Sequence, residues 1–396
     1  MKKISFLLLV VATLAFNTSF AQEAKEGLKF THTKEVEATS VKDQYRAGTC
    51  WSYSGLSFLE SELLRTKKGE YDLSELFIVR MTYEEKAIKY VRMHGTINFG
   101  GGGAFHDVTN VIKKYGIVPE EAYLGLNYGT DNHVHGELDE VLKAYLDAVI
   151  KDKNKTLTTA WFRGYQAILD AYLGEVPEKF TYQGKEYTPM SFAQSLGLDM
   201  DDYISLTSFT HHPFYEPFII EVPDNWAWDI AYNLPLDELS KVMDYMIEKG
   251  YSFAWASDVS EKGFSFRKGV ALVPETNIEA MDGLERAKWE NMSAADRQKE
   301  LFSFETKVPE KQITQENRQL AFDNYQTQDD HGMHITGIAK DQHGTKYYIV
   351  KNSWNTNNPY DGYFYASEAF VLYKTTDIMV NKNSLPKDIL KKLNLK

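Results

Sequence analysis

One cysteine, Cys50, is the only thiol in this 396-residue chain. A single cysteine excludes an internal disulfide framework, a Cys-rich zinc ribbon and a Cys-ligated iron–sulfur cluster. Positive charge is also short. Lys and Arg number 44 against 56 Asp and Glu, a net charge of −12. The basic footprint needed for sequence-independent nucleic-acid binding is therefore missing, and no nucleic-acid partner is expected. Against these shortages the rest is ordinary: 43% hydrophobic and 25% charged residues, with ample material for a core. Collagen, coiled coil and wholesale disorder are ruled out. The length exceeds the usual single-domain range, so one large domain with insertions, or two domains, is expected.

The start of the chain reads as an export signal. Met1-Lys2-Lys3 is a short basic segment, Ile4 to Phe16 is apolar, and Ser19-Phe20-Ala21 offers a small-x-small cleavage site before Gln22. The apolar run is too short to span a bilayer comfortably, and no cysteine follows it to carry a lipid. Residues 1–21 are expected to be a cleaved signal peptide, with no membrane anchor and a periplasmic or secreted product. They contain two lysines and no acid, so the mature charge becomes −14. Exported proteins usually use cysteines in pairs. A lone one is either inert and buried, or chemically employed.

Apolar or small residues at Trp51, Gly55, Phe58, Leu59 and Leu63 follow the period of an amphipathic helix, and Gly48-Thr49 before them suit a turn and a cap. Cys50 then stands at a helix N-terminus. The macrodipole and free N–H groups there favour an anion and would lower the thiol pKa. On this segment alone a small buried hydrophobe is an equal reading.

The C-terminal third breaks the tie. His334 to Trp354 reads as two strands around the turn Gln342-His343-Gly344. The midpoint of 334 and 352 is 343, so a hairpin turning there places His334 and Asn352 roughly opposite, about 4.5–5.5 Å apart at Cβ. A bulge would shift this register by one residue. An imidazole beside an amide oxygen is fixed in tautomer and orientation, as a general base serving a thiol requires. His331 precedes His334, but setting it opposite Asn352 moves the hairpin centre off the turn. His334 is therefore the expected base.

This constellation resembles the papain-like cysteine peptidases. Gln44 stands six residues before Cys50, as the oxyanion-hole glutamine does in that family. Cys50-Trp51 matches the nucleophile and its following tryptophan, and Lys351-Asn352-Ser353-Trp354 matches the asparagine motif. Gly102-Gly103, ahead of Tyr115-Gly116-Ile117, is similar to the glycine pair whose backbone binds substrate, and Leu73-Ser74-Glu75 to the start of the next helix. Between Cys50 and His334 lie 283 residues, about twice the papain interval. The extra stretch, with His212-Pro213-Phe214, Val222 to Trp226, Leu236 to Gly250 and Ser252 to Val259, resembles the insertion of bleomycin hydrolase and bacterial aminopeptidase C.

The resemblance implies an α+β fold of two lobes, one helical and one β-barrel-like, with a helical insertion. It divides the chain into the signal peptide 1–21, a helical lobe 22–125, a largely helical insertion with part of the core 126–318, and a β lobe 319–396. It also implies acyl transfer to Cys50 with His334 and Asn352 completing the triad. Gln44 and the Cys50 N–H would form the oxyanion hole, Gly102 and Gly103 would bind substrate, and Trp51 and Trp354 would support. No cofactor or metal is needed. Peptides are the expected partners, and a homo-hexamer is implied.

One departure from the family stands out. A last helix is expected from Pro386 to Leu393, and the chain stops at Lys396, where the family continues into a cleft-filling arm that holds the substrate's amine. Endopeptidase activity thus stands as an alternative to aminopeptidase activity. An amidase or acyltransferase with the same triad, and an inactive binding scaffold, are the readings from other classes. His133, His135, His211 and His212 lack the companion motifs of a metal site and read as surface and core histidines. Gly100 to Gly103 lacks the Gly-Lys-Ser/Thr of a phosphate loop. Asp199 to Asp202 reads as a solvated loop, and Gly283 to Arg318 as a charged, mobile excursion.

Overall fold

Cys50 begins the helix that its neighbours' periodicity predicts, and the rest of the fold is arranged around that helix. The computed structural model describes residues 27–151, 153–281 and 283–395. The expected signal peptide lies outside them.

The helices are α1 (Cys50–Arg65), α2 (Glu75–Arg92), α3 (Phe105–Tyr115), α4 (Gly136–Val149), α5 (Ala160–Leu173), α6 (Pro189–Leu196), α7 (Leu236–Glu248), α8 (Gly283–Glu290), α9 (Ala294–Leu301), α10 (Gln315–Asp323), α11 (Glu368–Lys374) and α12 (Lys387–Lys392). The strands are β1 (Phe30–Glu35), β2 (Phe180–Tyr182), β3 (Lys185–Tyr187), β4 (Tyr203–Thr207), β5 (Pro217–Ile219), β6 (Ile230–Asn233), β7 (Phe253–Ser257), β8 (Phe264–Ser265), β9 (Val270–Ala271), β10 (His331–Asp341), β11 (Lys346–Lys351), β12 (Tyr363–Ser367) and β13 (Thr375–Asn381). Strands β2 and β3 pair alone. The others form one sheet in the order β5-β6-β4-β13-β7-β10-β11-β12-β9-β8, with β1 joined to β10.

Helix α1 is more than amphipathic. Every residue from Trp51 to Leu63 is buried, because α2 and α3 cover one side and β10 and β7 the other. Its polar side chains therefore need partners, and most have them: Ser52 Oγ donates to Glu75 O, and Glu60 accepts from Thr39 Oγ1 and the Leu73 N–H, while Ser61 Oγ is left without one. Gly55 lets α3 come close, since a Cβ there would lie 2.9 Å from Val108 Cγ2. On the helical side Leu56, Phe58, Leu59, Leu76 and Phe77 form one apolar cluster. On the sheet side Trp255, Met333, Ile335, Tyr348 and Phe370 form another. Fully burying each of these chains is worth about 1.5–3 kcal/mol. Cys50, at the start of α1, lines a cavity with Trp51, Phe105 and Ala256 of the first cluster.

The stretch 126–318 supplies helices α4 to α9 and also strands β4 to β9 of the main sheet. The charged excursion from Gly283 is packed down by Trp289, which is fully buried with Leu301, Val308 and Tyr347. The last helix falls where the sequence placed it, capped by Pro386 and Leu393.

Candidate active site

The hairpin of β10 and β11 forms as expected, but its register reverses the choice of histidine. Beyond the turn, Lys340 pairs with Lys346 and Gly337 with Ile349; a bulge then shifts the pairing, so Ile335 meets Val350 and His334 meets Lys351. A one-residue slip turns every side chain beyond it to the other face. His334 therefore shares a face with Lys351, and Asn352, one residue on, lies on the face of His331. His331 Nε2 is 2.8 Å from Asn352 Oδ1. The expected pairing of His334 with Asn352 is not formed.

His334 instead points beneath α1. It is fully buried, with Nδ1 2.9 Å from Ser57 Oγ. Lys351 Nζ donates to the same Ser57 Oγ at 2.7 Å. Nε2 is buried with no partner. Burial and the Lys351 charge hold this imidazole well below its ordinary pKa. Burial likewise lowers Lys351, to about 8. His334 lines a small cavity with Ser57, Glu60 and Lys351, apart from the one that Cys50 lines.

The His331 side has the opposite character. The Ser353 N–H donates to Asn352 Oδ1 at 2.8 Å, which identifies that amide atom as oxygen. His331 must then carry its proton on Nε2, leaving Nδ1 bare as a base. Trp354 stacks on the ring at 4.4 Å and 24°, and is itself held by Phe264 and Phe266. The next residue, Gly332, donates its N–H to Cys50 Sγ at 3.3 Å. A Cβ on Gly332 would lie 2.9 Å from Ser54 Oγ and 3.2 Å from Trp51 Cα, so only glycine lets the strand approach the nucleophile helix this closely. Cys50 and His331 line the same cavity, together with Gly103.

Gln44 is buried and tied to the same corner. Its backbone N–H donates to Ser353 O, its Oε1 accepts from Ser353 Oγ at 2.6 Å, and its Nε2 donates to Ala47 O at 2.7 Å. The second Nε2 hydrogen is left for another acceptor. Trp51 Nε1 donates to Gly101 O, fixing the glycine segment beside α1. Gly103 is tight against Trp51, where a Cβ would lie 2.7 Å from the indole.

The helix N-terminus does not by itself lower the Cys50 thiol. Burial outweighs it and pushes the thiol up to about 12. The Gly332 hydrogen bond opposes this, and the carboxylates of Asp329 and Asp224 add to it. Burial likewise pushes His331 down to about 4, against the Asn352 hydrogen bond. Both shifts favour the uncharged pair, thiol and neutral imidazole.

His133, His135, His211 and His212 stay apart from this site. His135 is buried, its pKa lowered to about 4 by burial, with His133 beside it. His211 and His212 each place Nε2 3.0 Å from an oxygen of Glu221. Gln319 Nε2 faces His211 Nδ1, because its Oε1 accepts the Thr210 N–H. His211 is thereby held with its proton on Nε2, toward Glu221, a hydrogen-bonded cluster in the wrong tautomer for a metal at Nε2. Three residues that line the cleft carried no signal in the sequence: Asp224, Asp329 and Asp377.

Comparison with known proteins gives a consistent picture. The profile of the Peptidase C1-like family matches residues 9–306 and 283–396. Aminopeptidase C of Lactobacillus delbrueckii subsp. lactis is 24% identical over 95% of this chain and 87% of its own length. Aminopeptidase E of Lactobacillus helveticus is 23% identical over 93% and 86%. Among solved structures, PepW from Lactobacillus rhamnosis is 19% identical, with a TM-score of 0.68 over 92% of this chain and 84% of that one. The fold is the papain-like α+β fold that the sequence motifs implied.

Proposed function

Because the chain belongs to the Peptidase C1-like family, we propose that it is a cysteine-type aminopeptidase working through Cys50, His331 and Asn352. The observation that carries this reading is the pair of contacts on one short stretch of β10: His331 Nε2 on Asn352 Oδ1, and the Gly332 N–H on Cys50 Sγ. The aminopeptidase relatives supply the substrate class, a peptide with a free amino end.

The chemistry follows from the uncharged resting pair. As Cys50 Sγ bonds to the peptide carbonyl carbon, its proton passes to His331 Nδ1. The imidazolium then protonates the leaving amine as the C–N bond breaks, leaving a thioester on Cys50. His331, neutral again, takes a proton from water, which attacks the thioester and frees Cys50. The Cys50 N–H and the spare Gln44 Nε2 hydrogen stabilise the oxyanion, each such donor being worth about 3–4 kcal/mol. Asn352 keeps Nδ1 unprotonated and aimed, and Trp354 keeps water from the His331–Asn352 hydrogen bond.

Hydrolysis of a leucyl peptide before and after iodoacetamide treatment tests the reading. Alkylated enzyme and a Cys50→Ala variant should both lose turnover; full activity in Cys50→Ala would sink it. Two finer features belong to the same proposal. Export is supported by the pattern of residues 1–21, and a mature N-terminus at Gln22 is the expected result of sequencing the protein from its host. The hexamer rests on the family resemblance, and sedimentation should give six chains per particle.

A further inference from the structure

Carboxylates line the cleft beside the reacting pair. Asp224, Asp329 and Asp377 face the cavity that Cys50 and His331 also line. Their direct partners are neutral: Asn98 Nδ2 donates to Asp224 at 2.9 Å, Thr376 Oγ1 to Asp329 at 3.1 Å, and Ser205 to Asp377. The nearest cation to Asp224 is Lys86, whose Nζ is turned to the backbone oxygens of Gly100 and Gly102. Asp377 has His106 behind it, whose Nε2 is buried without a hydrogen-bond partner. The cleft thus gathers three carboxyl groups whose pKa burial raises, Asp329 well above the ordinary carboxylate value, and among the described residues no Lys or Arg lines it; a bound cation favours their ionised form.

Asp224 reaches the cleft from far away in sequence. It lies on the segment between β5 and β6, and that segment is fastened across the helical lobe. Trp226 Nε1 donates to Asp107 Oδ2 at 2.9 Å, and Lys89 Nζ donates to Ala227 O at 2.8 Å while lying 3.6 Å from the Trp228 ring centre. The result is a carboxylate seated on Gly102: a Cβ there would be 2.3 Å from Asp224 Oδ1. Gly102-Gly103 is the ledge expected to hold the acyl half of the peptide. His331 must reach the leaving amine on the other side of the scissile bond. A peptide extending upstream along this ledge meets the 222–228 segment and its carboxylate.

We propose that Asp224, with Asp329 across the cleft, binds the free α-ammonium of the peptide's first residue, and that the 222–228 segment closes the cleft to residues upstream of it. This rests on the peptidase reading above and identifies what makes it an exopeptidase.

The test compares kcat/KM for leucyl, lysyl, N-acetyl-leucyl and N-acetyl-lysyl versions of one peptide, with Cys50 titrated by iodoacetamide in each preparation. The wild-type chain should prefer free over acetylated leucyl peptide by about 100-fold or more, since a site built around an ionic hydrogen bond strongly rejects a ligand lacking it. Asp224→Asn, which keeps the shape and the Asn98 neighbour, should reduce that preference by about tenfold or more, chiefly through KM of the free-amino substrate. Asp329→Asn is the second variant should the first fold poorly. Equal wild-type rates on free and acetylated leucyl peptide would overturn the proposal while leaving the peptidase reading intact. So would a preference unchanged in both variants. Rapid cleavage of acetyl-lysyl but not acetyl-leucyl peptide would also overturn it, by assigning the carboxylates to a basic side chain. No hydrolysis of any of the four by a chain with fully titratable Cys50 would remove the peptidase reading, and this inference with it.

Discussion

Strand β10 carries two histidines three residues apart, and its two faces put them to opposite uses. His331 looks into the cleft, with one nitrogen committed to Asn352 and the other bare. His334 looks under α1, where Ser57 occupies one nitrogen and the other has no partner. Both are buried and both are held neutral by burial. Burial and depressed basicity therefore do not distinguish a base from a strut. What distinguishes them is which nitrogen is left free, and whether it opens on a cavity that also contains a nucleophile.

The largest effect that would break this comparison is on turnover. His331→Ala should lower kcat/KM by about a thousandfold or more in enzyme that still melts cooperatively, because it removes the proton carrier, with a stability loss limited to the vacated Asn352 and Trp354 contacts. Steady-state kinetics beside a thermal melt checks both halves. His334→Ala should do the reverse, lowering stability by about 2–4 kcal/mol through a cavity and an unpaired Ser57–Lys351 cluster. In urea denaturation its midpoint should fall, while the folded enzyme keeps a kcat within a few-fold of wild type. Asn352→Ala comes next, with a loss of about 10- to 100-fold, since the base remains but its tautomer is no longer fixed. Comparable losses in His331→Ala and Asn352→Ala would mean that orientation, not proton transfer, dominates.

Smaller and sharper is the pH profile. Burial lowers His331 to about 4, so the neutral base persists down to that pH and is lost as pH falls through it. The thiol, pushed up to about 12, adds no ionisation of its own below that. For a neutral substrate, kcat/KM should be flat from about pH 6 to pH 9 and drop on an acid limb near 4. An acid limb at the ordinary histidine value of about 6.5 would argue against the buried, uncharged pair. Trp354→Phe, which keeps an aromatic face on His331, should cost less than about tenfold and leave that limb in place.

Much of this was legible in the chain. The period of Trp51, Gly55, Phe58 and Leu63 gave helix α1 with Cys50 at its first position, and the turn at Gln342-His343-Gly344 gave the hairpin. Asn352 and Trp354 were identified as partners of a histidine, correctly in kind. The choice between His331 and His334 failed because symmetric pairing about a turn has no memory of a bulge between Ile335 and Gly337. A signal was available: His331 is followed by a glycine, and a strand that must touch a nucleophile helix needs one. The thiol's environment was misjudged for another reason. A helix N-terminus is visible in sequence, but the burial that outweighs it is a tertiary fact. Asp224 was illegible for the same reason, since only the docking of Trp226 on Asp107 brings it to the cleft.

The central claim is that His331, not His334, serves Cys50. The most direct measurement is the rate of Cys50 alkylation by iodoacetamide near neutral pH in wild type, His331→Ala and His334→Gln, each confirmed folded. A thiol otherwise held protonated reacts only as fast as its base lets it ionise. The account predicts a drop of about tenfold or more in His331→Ala and a rate within about threefold of wild type in His334→Gln. A slow His334→Gln with an unaffected His331→Ala would contradict it.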